Sequence, residues 1–109
     1  MSYPAHPVPD LTIANGQQNS DTVALAVYRT ARALSIAAPA TLTGTISVQG
    51  RVDSTNWKTL YSGGADVTIS ADRVVLIDMP ARFEAVRVRS GSAEGAARAF
   101  TVHVVYQLD

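Results

Sequence analysis

Thr43-Gly44-Thr45-Ile46-Ser47-Val48-Gln49-Gly50-Arg51-Val52 decides the fold class. Ile46, Val48 and Val52 fall on one side of this run, and Thr45, Ser47, Gln49 and Arg51 fall on the other. That period of two is the mark of a half-buried β-strand, whose successive side chains point to opposite faces. Asp53-Ser54-Thr55-Asn56 follows as a polar turn, and Trp57-Lys58-Thr59-Leu60-Tyr61 returns as the second arm of a hairpin.

The same punctuation continues in both directions. Upstream, Leu11–Ala14 reads as a short strand closed by Asn15-Gly16, a dipeptide that accepts positive φ at little cost. Thr22–Tyr28 and Arg32–Ala38 carry Val23, Leu25, Leu34 and Ile36 on one face, and Pro39 stops the run because it cannot donate to a central ladder. Downstream, Asp66–Ser70, Arg73–Met79, Phe83–Arg89 and Phe100–Leu108 read as strands separated by Gly63-Gly64, Pro80 and the small-residue loop from Ser90 to Ala97. The connections are too short for parallel crossovers, so the expected fold is all-β: an antiparallel, jelly-roll-like β-sandwich of eight to nine strands.

Composition agrees. Val, Ile and Thr supply 28 of 109 residues, against 2 Glu and 1 Lys, and β-branched side chains suit a pleated, half-buried surface. A chain of this length supports one core, over residues 11–109. Residues 1–10 hold Pro4, Pro7 and Pro9 and read as an extended arm, with Tyr3 and Val8 as candidate anchors on a partner. Formal charge sums to zero, so no overall field draws a nucleic acid or an anionic membrane. No Cys is present, which removes disulfides, thiolate metal sites and a Cys nucleophile.

Residue types that carry chemistry are sparse. His6 and His103 have no His, Asp or Glu at metal-ligand spacing, and no Ser sits in a nucleophile elbow. Asp66, Asp72 and Asp78 recur every six residues, but they read as strand-end turn caps rather than a calcium loop. No enzyme activity, cofactor or metal is therefore expected. Arg82, Arg87, Arg89 and Arg98 form the only basic cluster, with Arg87 and Arg89 on one strand face and Arg98 expected across the following hairpin; it reads first as a solvated face balanced by Glu84 and Glu94, and second as an anion or partner patch. Trp57, the sole Trp, is expected to plug the core. Its alternative role is to share a face with Tyr61 and stack on a glycan.

Val48-Gln49-Gly50-Arg51-Val52-Asp53-Ser54-Thr55-Asn56-Trp57-Lys58-Thr59-Leu60 resembles the hairpin of discoidin-type jelly-roll modules, and residues 81–88 resemble their following aromatic-Arg strand. The chain departs from that family in lacking both terminal Cys and in being shorter. It is more similar to small tailed-phage virion proteins, through Pro39-Ala40-Thr41-Leu42-Thr43-Gly44-Thr45-Ile46-Ser47-Val48-Gln49, the Asn56-Trp57 hairpin, and the Ala-rich loop before Arg98-Ala99-Phe100-Thr101-Val102. The resemblance implies a capsid cement or decoration protein, found in the virion and made in the host cytoplasm. Its implied partners are the major capsid protein or other virion subunits, and sister copies in a trimer or ring. The alternative it implies is a small neck or tail-tip protein that binds carbohydrate.

Overall fold

The computed structural model describes residues 6–25, 28, 32–53, 55–78 and 83–105. These form eleven short strands: β1 (His6–Ile13), β2 (Val23–Ala24), β3 (Ala33–Ala37), β4 (Ile46–Arg51), β5 (Lys58–Thr59), β6 (Tyr61–Ser62), β7 (Ala65–Asp66), β8 (Thr68–Ile69), β9 (Val74–Asp78), β10 (Ala85–Ser90) and β11 (Arg98–Val105). One sheet runs β1-β11-β3-β9; a second runs β2-β10-β4-β5, with β8 also on β4; and β6 and β7 pair as a separate two-stranded piece. Every pairing is antiparallel. β1 to β4 alternate between the two sheets, as do β9 to β11, and the spatial orders β1-β11-β3-β9 and β2-β10-β4-β5 are those of a jelly roll.

The count exceeds eight to nine because two expected strands are each split. Leu60 and Val67 bond to one another and to Val48 through the backbone, Leu60 N–H to Val48 O at 2.8 Å and Val67 N–H to Leu60 O at 2.7 Å. Leu60 is buried, so the chain turns inward there and divides Trp57–Tyr61 and Asp66–Ser70 into shorter pieces.

The core lies between the sheets. Leu11, Ile13, Leu34, Ile36, Phe100, Val102 and Val104 come from the first, and Ile46, Val48, Val86 and Val88 from the second. Val23 and Leu25 are buried as the alternation predicts, although the strand there spans only two residues.

The expected arm is a correction. Residues 6–10 belong to β1, with His6 opposite Val104 and Val8 opposite Val102, and Val8 is buried in the core rather than free to anchor a partner. Pro is tolerated there because β1 is the edge of its sheet, where a missing N–H breaks no interior ladder. A bulge between Val8 and Leu11 adds one residue to the strand. Positions 8 and 11 would otherwise point to opposite faces; the extra residue turns both Val8 and Leu11 inward. Tyr3 and Pro4 lie outside the described residues.

Candidate functional site

The outer face of the second sheet gathers arginines around the single Trp. The register sets Arg87 beside Gln49 and Ala85 beside Arg51, while Gln49 pairs Thr59 on the other side. The Arg87 guanidinium lies 4.3 Å from the centre of the Trp57 ring and that of Arg51 lies 4.9 Å from it, within the range of a cation–π contact. Arg87 Nε donates to Gln49 Oε1 at 2.8 Å, Arg51 Nε to Glu84 Oε1 at 2.9 Å, and Arg89 Nη1 to Asn19 Oδ1 at 2.8 Å. Burial first, then the charges of Arg89 and Arg51, lower the Arg87 pKa from its usual value. Three guanidiniums against one carboxylate leave the face cationic.

The turn before Trp57 fixes its direction. The Asp53 carboxylate accepts the Asn56 and Thr55 backbone N–H groups at 2.7 and 2.9 Å and the Asn56 side-chain amide at 3.2 Å. Those bonds hold the Asp53 pKa down to about 2. Trp57 is half-buried on this face, which corrects its expected place in the core; the fully buried aromatic is Phe100. Arg51 and Arg87 set their guanidiniums over the Trp57 ring, so its π face is occupied without a place between the sheets.

Arg98 separates from Arg87 and Arg89. β10 and β11 are consecutive but belong to different sheets, so the expected hairpin neighbour sits across the sandwich. Its Nε donates to Glu94 Oε1 at 2.9 Å. Glu94 is buried and also receives the Thr43 and Gly44 backbone N–H groups at 2.8 and 2.9 Å and the Ser90 hydroxyl at 2.7 Å. Burial alone would raise its pKa; the bonds from Ser90, Thr43, Gly44 and Arg98 together outweigh that and bring it to about 2. The burial of Glu94 corrects the expectation of a solvated counter-charge at this position. A lone acid among Ser, Ala and Gly gives only one signal of burial, that its small neighbours let backbone close around it.

A groove of about 740 Å³ opens along one side of the sandwich. Its lining includes Leu76 and Ile77 of β9, Val52, Asp53, Asn56 and Tyr61, and Leu60 and Phe83. Tyr61 therefore serves the groove while Trp57 serves the outer face, because the inward turn at Leu60 breaks the alternation that would have aligned them. Among the described residues no group of three His, Asp or Glu is placed to hold a metal ion, and no helix is long and apolar enough to cross a membrane. Among known proteins, no family model, curated protein or solved structure matches the chain.

Proposed function

We propose that the protein is a non-enzymatic virion structural protein that binds and stabilises neighbouring capsid subunits as a cement or decoration protein, docking through the outer face of its second sheet. The observation that carries this reading is the packing of Arg51 and Arg87 on half-buried Trp57. Trp and Arg are the side chains that most often dominate protein interfaces. Here they are already held by a rigid turn and by Gln49 and Glu84, so little ordering is left for the moment of binding. The face is cationic and fits a carboxylate-bearing partner surface. The jelly-roll order adds support by analogy of fold alone, since viral capsid and lectin domains both use it.

A tail-tip carbohydrate-binding role is favoured by one separate observation: exposed Tyr61 lies in the groove beside Asp53, Asn56 and Thr59, an aromatic ring next to polar groups. Two measurements divide the readings. Particles assembled without the protein are incubated with purified chain, and bound copies are counted by mass spectrometry. Cement predicts a copy number on the scale of the major capsid subunit and its loss in a Trp57→Ala/Arg87→Ala double variant. Failure to enrich on particles, together with glycan-array binding that Tyr61→Ala abolishes, overturns cement in favour of the tail-tip role.

A further inference from the structure

Among the described residues, four large apolar side chains are strongly exposed: Val52 at 75%, Tyr61 at 70%, Leu76 at 63% and Val74 at 61%. They are not scattered. Val52, Tyr61 and Leu76 line the groove, and Val74 lies two residues from Leu76 on the same face of β9. All four therefore occupy the side of the sandwich where β9 ends its sheet.

The two edges of that sheet differ. β1 is closed to further pairing: Pro7 and Pro9 lack an N–H, and the bulge after Val8 distorts the ladder. β9 has no Pro, no Lys and no bulge, and pairs β3 continuously from Val74 through Asp78. Its sequence, Val-Val-Leu-Ile-Asp, has strong strand propensity. Such an edge invites pairing with another chain unless something covers it. Its cross-strand neighbours on the outer face, Ala37 opposite Val74 and Ser35 opposite Leu76, are too small to cover these side chains. The outer positions of the neighbouring strands β3 and β11, Ala33, Ala99, Thr101, His103 and Val105 among them, carry no Asp, Glu, Lys or Arg; the exposed Asp10 sits in the bulge of β1 at the far edge, so the strands beside β9 offer no repulsion to a like surface.

We propose that the occupant is a second copy of this chain, joined β9 to β9 in antiparallel register about a two-fold axis perpendicular to the sheet, to give one continuous eight-stranded sheet. Among the described strands the β1 edge is blocked, and the β2 and β5 edges of the second sheet span only two residues each, which leaves β9 itself as the edge that matches β9 and makes the contact isologous and closed rather than an open filament. The two-fold keeps inward residues inward, so the register centres on Val75 or on Leu76. It sets the Arg73 end of each strand against the Asp78 end of the other and brings the two grooves face to face. One contact then covers Val74 and Leu76 along the ladder and Val52 and Tyr61 at the groove mouth. This is a dimer, in place of the trimer or ring implied by the resemblance, and it does not depend on which surface meets the capsid.

The chain has no Cys, so single-Cys variants test the geometry directly. Directly opposed residues in an antiparallel ladder have Cα atoms roughly 4.5–5.5 Å apart, inside the range a disulfide spans. Mild oxidation is expected to link either Val75→Cys or Leu76→Cys into a covalent dimer and to leave Thr101→Cys, on the outer face of the same sheet, unlinked. Light scattering is expected to give a dimer for the wild type and a monomer of unchanged melting temperature for Leu76→Lys. The proposal is overturned by a wild type that stays monomeric through the micromolar range, by a trimer or ring, or by cross-linking at Thr101→Cys, which would mean that the sheets stack face to face.

Discussion

Glu94 is the residue on which the loops of one end depend. Its carboxylate joins the Thr43-Gly44 segment, Ser90 and Arg98, and its backbone bonds Gly16 and Gln17. Its folded pKa, held down to about 2, lies below the ordinary glutamate value of 4.5, so the carboxylate stabilises the fold above about pH 4.5, and that stability is lost as pH falls from there through about 2. The gap corresponds to about 3 kcal/mol. Glu94→Gln is therefore expected to lower stability at neutral pH and to flatten the acid limb, read by urea melts across that window; an unchanged acid limb would count against the hub. Gly44 is constrained by the same cluster: a Cβ there would overlap the Ser90 hydroxyl and approach Ser92 N to 2.8 Å. Gly44→Ala is expected to cost about 1–3 kcal/mol by overpacking, measured in the same melts. Trp57→Ala is expected to cost only about 1–2 kcal/mol, since the ring is half-buried and loses contacts of roughly 0.5–1 kcal/mol with each guanidinium. A loss of several kcal/mol would return Trp57 to a core role.

At the scale of elements, β1 shows why the fold was more legible than the site. Alternation identified β3, β4, β10 and β11 and placed Leu34, Ile36, Val48, Val88 and Val102 correctly inward, because a strand buried on one face repeats its own evidence every second residue. The bulge hid the start of β1. Pro7 and Pro9 argue against a ladder in general, and only the edge position, a property of the sheet rather than of the segment, makes them acceptable. The same gap separates Arg98 from Arg87, since no local pattern says that β10 and β11 enter different sheets. Deleting Asp10 would remove the extra residue and turn Val8 outward. The expected cost is about 1.5–3 kcal/mol for the lost burial, with loss of hydrogen-exchange protection at Val102 and Val104. Truncation through Pro9 removes Val8 from the core and is expected to lower the melting temperature.

At the scale of the whole molecule, the two surfaces become related through the proposed two-fold. An axis perpendicular to the first sheet leaves both copies facing the same way, so the two Arg51–Trp57–Arg87 faces point to one side and the two outer faces of the first sheet to the other. A dimer built in this way can set both cationic faces on one flat array of subunits, provided neighbouring sites match their spacing. The second contact is then intramolecular, and linking two sites can raise apparent affinity by about 10²–10⁴ without any new kind of contact. Leu76→Lys, which alters neither Arg51, Trp57 nor Arg87, is therefore expected to reduce particle occupancy at limiting protein by at least tenfold, with dissociation accelerated rather than association slowed. Cross-linking Val75→Cys or Leu76→Cys into a covalent dimer is expected to preserve or increase occupancy. A monomeric Leu76→Lys chain that dissociates from particles as slowly as the wild type would show that each copy binds alone, leaving the β9 contact without a part in attachment.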